Sequence, residues 1–252
     1  IVTENIKDIS NVILNNGDPL KPGQLVYSNK VDYISLDTST PWNNFHFNPI
    51  GSNQSRYLIG KYITDTQIRI KAQIITGTHS NRGNNEAAVL YLAYTYSDGD
   101  QASPATIFAE TTDLFELRPD GTKGEQIGNV GRPSSFYYPL EVTGQASVAQ
   151  IKDGIYYVNG YAIRVPGQTL ILEKFGTTPT YRIGLAVEEN IITAGQDMSL
   201  YDPAGHGAIG ADRYSINLRL AKKSIGSPSN ENFIELMKVT DGHPAEKDTY
   251  LG

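Results

Sequence analysis

The sequence contains no cysteine, which excludes disulfide bonds and thiolate chemistry. Long apolar runs are also absent: the stretch 87–93 is among the longest, and it is far too short to cross a bilayer. No basic segment followed by an apolar one opens the chain, so we expect neither a secretion signal nor membrane insertion. Stability must therefore come from burial of apolar surface, from backbone pairing and from assembly.

Positive charge is scarce as well. The 252 residues include 21 Lys and Arg against 27 Asp and Glu, which gives a formal net charge of −6. The cations are scattered, and Lys222-Lys223 is the only adjacent pair. Because nucleic-acid binding needs a basic stripe for the phosphates, we expect no nucleic-acid partner.

Both ends indicate a fragment of a longer protein. The chain begins at Ile1, and its only methionines are Met198 and Met237. Inside the chain, the stretch 124–135 is rich in glycine, serine and proline, as linkers are. We therefore predict an N-terminal β region at 1–143 and a second β region at 144–252.

Apolar and polar residues alternate along the segments 67–74, 181–188 and 213–220. Side chains of a strand point to opposite faces in turn, so this pattern predicts antiparallel sheets with one buried and one solvated face. The residues predicted to be buried are Ile68, Ile70, Ala72 and Ile74, then Tyr181, Ile183, Leu185 and Val187, and then Tyr214, Ile216, Leu218 and Leu220.

Turn residues support this interpretation. Asn159-Gly160 predicts a two-residue type I′ hairpin, and 118–122 (Arg-Pro-Asp-Gly-Thr) predicts a second turn. Weak helical spacing occurs at 6–14 and 232–237. The predicted fold is all-β, built from antiparallel β-sandwich-like modules with little helix. The predicted strands are 25–28, 32–36, 56–63, 88–96, 106–109, 136–142, 148–151, 155–158, 161–165 and 169–175.

The segment 205–210 (Gly-His-Gly-Ala-Ile-Gly) matches the spacing of a dinucleotide-binding loop. That loop works only between a strand and a helix, because the helix N-terminus meets the pyrophosphate. Here an alternating strand follows instead of a helix. We therefore interpret the segment as a glycine-rich loop and expect no cofactor.

Asp197, Asp202 and His206 lie on the same long loop and carry ligands that suit a metal ion. Their spacing fits no established metal loop, and Asp before Pro is ordinary turn chemistry. We favour the turn interpretation and assign no metal site.

No pattern of an enzyme stands out. A nucleophile elbow is absent, and the four histidines show no paired-ligand spacing, although a catalytic triad can assemble from distant residues. Polysaccharide cleavage needs two carboxylates facing one cleft, whereas Glu188 and Glu189 are neighbours on a strand and point to opposite faces. We assign no catalytic residue and expect a protein that is not an enzyme.

Aromatic residues give the remaining signal, since tyrosine outnumbers phenylalanine by 16 to 7. Tyrosine is a good strand residue, so most of these fit half-buried sheets. Trp42, Phe45 and Phe47 lie outside any clear strand, and Tyr201 and His206 lie on a long loop. Aromatic side chains with a polar tip suit interfaces and sugar platforms. These five residues are the candidate interface.

The segment 146–240 contains the most distinctive motifs of the sequence. It contains these landmarks: Gly154–Gly160, Thr178-Pro179, Asp197–Ala204, Gly210–Arg213 and Asn232–Met237. In these landmarks the sequence resembles a family of large phage virion structural proteins, generally assigned to tail fibres or baseplate-associated parts. Roughly the last hundred residues carry the resemblance, and the first part carries it only faintly.

The resemblance implies a structural component of a bacteriophage tail that acts by protein–protein assembly. It implies a location in the virion, other virion proteins as partners, and homo-oligomers, with a trimer as the expected form. The alternative is a carbohydrate- or receptor-binding module that contacts a glycan on the host surface.

Overall fold

The structure is a computed structural model that describes residues 22–37, 58–95, 107–202, 208–228 and 232–245. Within these ranges the chain folds almost entirely into antiparallel strands, which confirms the predicted all-β, sandwich-like fold. A short 3₁₀ helix spans Met198–Leu200. The strands are β1 (Leu25–Asp37), β2 (Tyr62–Thr64), β3 (Lys71–Thr78), β4 (Ala88–Tyr94), β5 (Asp113–Leu117), β6 (Lys123–Val130), β7 (Thr143–Ile151), β8 (Gly154–Val158), β9 (Tyr161–Val165), β10 (Gln168–Glu173), β11 (Tyr181–Ile192), β12 (Tyr201–Asp202), β13 (Ala208–Ile209), β14 (Arg213–Ser224), β15 (Phe233–Thr240) and β16 (His243–Pro244).

The larger sheet has the strand order β10-β7-β1-β4-β3-β2-β5-β6. The end of β1 also pairs with the end of β6, where Leu36 lies opposite Val130. The strands β1 to β6 therefore close into a barrel, and β7 and β10 extend the sheet beyond it. The closure rests on two residue pairs, Leu36 with Val130 and Asp37 with Asn129. The interior of the barrel is apolar and includes Ile34, Leu36, Ile63, Ile74, Leu90, Leu92 and Leu114.

The second sheet has the order β14-β11-β15-β16. The strands β11 and β14 pair along their whole length, from Tyr181 opposite Ser224 to Ile192 opposite Arg213. This sheet packs with the β8–β9 hairpin against the part of the larger sheet formed by β1, β7 and β10. The shared core contains Tyr27, Ala149, Ile151, Val158, Val165, Leu172, Ile183, Leu185, Val187, Leu218, Leu220 and Val239.

A third core covers the opposite face of β1, β4 and β7 and contains Val31, Tyr33, Val89, Tyr91 and Val148. All residues of β4 are buried as a result. Gln73 on β3 was among the residues predicted to be solvated, but only 3% of it is exposed. The prediction of a wet face is wrong here because this part of the sheet is covered on both sides.

The β3 strand also begins later than the alternation predicted. Ile68 has φ of 58° and lies in a turn, so it is not a strand residue. The carboxylate of Asp65 accepts hydrogen bonds from the amides of Arg69 (2.7 Å) and Ile70 (3.0 Å) and holds this turn. These side chain–backbone bonds compete with sheet pairing and delay the strand to Lys71.

The predicted helix at 232–237 is wrong, because this segment belongs to β15 and pairs with β11. The predicted strand 136–142 is a loop with a cis Tyr138-Pro139 bond, and the described residues 107–109 of another predicted strand are also outside strands. In the predicted strand 56–63 only Tyr62 and Ile63 lie in a strand, β2, and 58–61 do not. The predicted strands 25–28 and 32–36 form one strand, β1, with a bulge between Ser28 and Val31. The predicted helix at 6–14 lies outside the described residues.

Both turn predictions are confirmed. Asn159 and Gly160 have φ of 51° and 83°, as a type I′ turn requires, and they connect β8 to β9. The turn at 118–122 connects β5 to β6, with Gly121 at φ of 81°.

Across the predicted boundary at 143/144, β7 pairs with β1, so one sheet contains strands from both regions. The division itself stays a prediction. No helix among the described residues is long and apolar enough to span a membrane.

Candidate interaction surface

The core face of the second sheet continues past the core into an exposed apolar end. Val187, which is buried, is followed on the same face by Glu189 and Ile191. Ile191 lies directly opposite Tyr214, and their exposed fractions are 63% and 48%. The chain leaves this end after Ile192 and returns to it at Arg213.

The β8–β9 hairpin adds a second tyrosine to this end. Its tight turn at Asn159-Gly160 places Tyr161 at the start of β9. The rings of Tyr161 and Tyr214 are 5.9 Å apart between centroids, at an interplanar angle of 50°. Such tilted contacts are favourable because the positive edge of one ring meets the negative face of the other.

A carboxylate fixes the two elements to each other. Asn159 Nδ2 donates a hydrogen bond of 2.7 Å to Glu189 Oε1, which connects the hairpin turn to β11. A hydrogen bond with Glu189 also raises the pKa of the Tyr214 phenol, because the carboxylate stabilises its protonated form. We call the group of Asn159, Tyr161, Glu189, Ile191 and Tyr214 the Tyr161–Tyr214 surface.

The loop between β11 and β14 carries Tyr201, a predicted interface residue. Tyr201 is 38% exposed and lies opposite Ile209 in the small β12–β13 pair. Met198, in the same loop, is 82% exposed. The loop is tied to β14 by Asp197, whose Oδ2 lies 3.6 Å from Arg213 Nη1.

Asp197 therefore stabilises the conformation of this loop. Its Oδ1 accepts a hydrogen bond of 2.9 Å from the amide of Ser199, and hydrogen bonding to Ser199 lowers the pKa of this carboxyl. Its suggested metal partner His206 lies outside the described residues, as do the predicted interface residues Trp42, Phe45 and Phe47. In the part of the chain that the structure describes, no group of three or more His, Asp or Glu residues could hold a metal ion.

The structure also describes parts of two other sites considered from the sequence, the dinucleotide-like segment and the pair Glu188-Glu189. Ala208 and Ile209 of the dinucleotide-like segment form β13, a strand where a nucleotide loop would need a helix. Glu188 accepts a hydrogen bond of 3.2 Å from Arg219, whereas the neighbouring Glu189 contacts the hairpin. These two carboxylates therefore have different partners and do not face one cleft.

The described part of the barrel includes two clefts with room for a ligand. The first, of about 850 Å³, is lined by the carboxyl residues Asp65, Glu110, Asp113 and Glu141 together with Arg69. Burial alone would raise the pKa of Asp65, but the amides of Ile70 and Arg69 donate to it and lower that pKa overall. Asp113 accepts hydrogen bonds from Gln126 and Asn129. At least two of these carboxylates thus serve the fold.

The second cleft, of about 690 Å³, lies where the beginnings of β2 and β3 meet the end of β5. We call it the Lys71–Arg118 cleft. Its lining consists of Gly60, Lys61, Tyr62, Lys71, Thr95, Glu116, Leu117, Arg118, Pro119 and Gly121.

Residues 139–250 match a protein family described as a domain of unknown function (DUF4815). The matched segment includes β7 to β16 and every residue of the Tyr161–Tyr214 surface. No curated protein and no solved structure matches the chain.

The sequence did not single out Tyr161 or Tyr214 as interface residues. They lie far apart in the sequence, on β9 and β14, and meet because the β8–β9 hairpin packs against the end of the sheet that β11 and β14 form. Tyr214 was predicted to be buried as part of the alternation. One signal in the sequence could have identified it. The apolar alternation of 213–220 extends to Tyr214, whereas the alternation of 181–188 ends at the acidic pair Glu188-Glu189.

Proposed function

We propose that the chain is a structural component of a bacteriophage tail, a tail-fibre or baseplate-associated part, which acts by protein–protein assembly. Two different observations support this. The resemblance of residues 146–240 to virion proteins supports the location, and the Tyr161–Tyr214 surface supports assembly as the mode of action. The proposal assigns no catalytic step to the chain.

The observation that carries assembly is the exposure of large apolar side chains on a rigid support. Tyr161 is 54% exposed, similar to its partner ring, and Ile191, opposite Tyr214, extends the apolar area. Tyrosine is enriched at protein interfaces, and burying one large side chain contributes about 1.5–3 kcal/mol. Because paired strands and Glu189 already fix Tyr214, little side-chain entropy is lost when a partner binds.

The edge of β14 offers a second means of contact. Among the described residues, β14 pairs as a strand only with β11. Near Leu218 and Leu220 its other edge is occupied by the side chain of Gln168. Among the described residues, Tyr214 has a strand partner only in Ile191 of β11. An unpaired edge can accept a strand from another chain. We propose that neighbouring copies or other virion proteins bind here, with homo-oligomers, trimers in particular, as the expected form.

The mass of the protein in solution tests assembly. We expect sedimentation velocity to show oligomers that dissociate on dilution, and the double variant Tyr161→Ser/Tyr214→Ser to shift the midpoint to at least tenfold higher concentration, which corresponds to about 1.4 kcal/mol. Tyr157→Ser, at a site 83% exposed on the other face of the hairpin, is the control and should leave the midpoint unchanged. A monomer at all concentrations would contradict the proposal.

The location has its own test. Peptides of this chain should be found by mass spectrometry in purified tails of the phage that encodes it, and antibodies against it should label the tail. If purified phage particles contain none of this protein, a role in the tail is refuted, even if the protein forms oligomers in solution.

A carbohydrate- or receptor-binding module is the second candidate. The observation in its favour is again the tilted pair of Tyr161 and Tyr214, since exposed rings beside Glu189 and Asn159 could stack on a sugar while the polar groups bind its hydroxyls. A glycan array separates the two functions. Specific binding of a host glycan that is lost in Tyr161→Ala, or in Trp42→Ala, would favour the module over assembly.

A further inference from the structure

The Lys71–Arg118 cleft differs in charge from the rest of the chain. Its lining includes the cations Lys61, Lys71 and Arg118 and one carboxylate, Glu116, and therefore has an excess of two positive charges. The whole chain has a net charge of −6. A local excess of this sign in an acidic protein favours an anionic ligand, because the opposite sign dominates elsewhere.

The ion pairing within the cleft leaves two of these charges available. Lys61 Nζ lies 2.5 Å from Glu116 Oε1, and both side chains are about one-third exposed. Among the described residues, neither Lys71 nor Arg118 forms an ion pair. Two carboxylates lie two positions from Arg118 in the sequence. Glu116 pairs with Lys61, and Asp120 accepts hydrogen bonds from the amide and the hydroxyl of Thr122, at 2.9 and 2.6 Å, while the charge of Arg118 acts on it through space.

The rim of the cleft is preorganised. The amide of Arg118 donates to Thr122 O and the amide of Gly121 donates to Arg118 O, both at 2.9 Å. Pro119 restricts φ in this turn, and Gly121 accepts the left-handed conformation. The turn that carries Arg118 is thus fixed before any ligand arrives, which lowers the entropic cost of binding.

The walls add apolar surface from Tyr62, Leu117 and Pro119. A volume of about 690 Å³ lies within the range typical of small-molecule sites. An apolar wall beside two cations suits a ring that carries an acidic group. We propose that the Lys71–Arg118 cleft binds a sugar bearing a carboxylate or a phosphate, with Lys71 and Arg118 as the anion-binding groups. Such a sugar is either an acidic residue of a polysaccharide or a free sugar phosphate.

Calorimetric titration of the full chain with separate probes tests this site. Glucuronate and glucose 6-phosphate are the two anionic probes, and glucose is the neutral one. We expect at least one anionic probe to bind at about 1 mM, as suits a ligand of this size, and glucose to bind at least tenfold more weakly. Preference for glucuronate indicates a polysaccharide residue, and preference for the phosphate indicates a free sugar phosphate. Added salt should weaken binding by screening the charges.

Variants locate the site. Lys71→Gln and Arg118→Gln should each weaken binding about tenfold, since each removes a charged hydrogen-bond donor. Lys238→Gln and Arg164→Gln remove exposed cations outside the cleft and are the matched controls. Three results would overturn the proposal: no binding of either anionic probe, equal binding of glucose, or binding that both cleft variants leave intact. The outcome is independent of self-association, because the Tyr161–Tyr214 surface lies on other strands.

Discussion

The backbone of Gly154 lies directly against the backbone of Gly23. A methyl group on Gly154 would lie 2.5 Å from the amide nitrogen of Gly23 and 2.6 Å from its α-carbon. The same junction is fixed by a hydrogen bond of 3.0 Å from the Gly23 amide to Asp153 O and by one from the Tyr156 hydroxyl to Gly23 O. The start of β8 is thereby held against the segment that leads into β1.

We therefore predict that Gly154→Ala lowers the free energy of unfolding by about 1–3 kcal/mol, because two backbones must separate to admit the methyl group. Equilibrium urea unfolding measures the change. Gly226→Ala, where an added methyl group has nothing within 4 Å, is the control and should alter stability by less than about 0.5 kcal/mol. Equal effects at both sites would contradict the close approach.

Gly160→Ala measures the cost of an unfavourable backbone conformation without any steric clash. Nothing lies within 4 Å of a methyl group at this site, but φ is 83°, where an L residue is disfavoured. We expect a loss of about 1 kcal/mol in the free energy of unfolding from the backbone alone. In the same urea experiment this variant should fall between Gly226→Ala and Gly154→Ala. A wild-type unfolding curve would show that the left-handed turn is not required.

Gln168 closes part of the gap between the two sheets. Its Nε2 donates to Leu218 O (3.1 Å), and its Oε1 accepts from the amide of Leu220 (2.8 Å), so one side chain replaces a strand backbone on the edge of β14. Gln168→Ala should cost about 1–3 kcal/mol and speed hydrogen exchange at the Leu220 amide. Gln168→Glu keeps the acceptor but turns a carboxylate toward a carbonyl, so it should also destabilise the fold. Gln67→Ala, at an exposed turn position, is the control and should leave the free energy of unfolding unchanged.

The buried phenol of Tyr27 should make the free energy of unfolding depend on pH in the alkaline range. Its hydroxyl donates to Gly242 O at 3.0 Å, and burial raises the pKa of this phenol to about 12. Because the folded pKa exceeds the unfolded value of about 10, the contribution is complete below pH ~10 and is lost as pH rises toward ~12. We expect Tyr27→Phe to lower stability by about 1 kcal/mol at neutral pH.

The same variant should reduce the slope of unfolding free energy against pH between about 10 and 12, where one proton fewer is linked to unfolding. Urea unfolding at a series of pH values measures both effects. Tyr157→Phe, at an exposed position, should leave the slope as in the wild type. An unchanged slope in Tyr27→Phe would show that this phenol is not the group responsible.

Local signals in the sequence predicted the features that neighbouring residues determine. Asn159-Gly160 specifies its hairpin because both residues tolerate positive φ. The alternation at 181–188 predicts β11 because every second residue meets the same core. The segment 232–237 was misjudged because Phe233, Leu236 and Met237 also fit helical spacing, and only pairing with the distant β11 selects the strand.

Features that depend on distant residues were not predictable in this way. The closure of the barrel joins Leu36 to Val130, and the burial of Gln73 depends on a second covered face of the sheet. The contact of Tyr161 with Tyr214 requires the register of two sheets at once. Among the predicted interface residues, only Tyr201 falls in the described ranges, where it begins β12 in the loop between β11 and β14.

The strand β1 pairs with β4, β6 and β7, and it sends Tyr27, Val31 and Ile34 into three different cores. Each of the three cores therefore loses side chains when this one strand is displaced. We therefore expect the two sheets to unfold together, with equal calorimetric and van't Hoff enthalpies of unfolding.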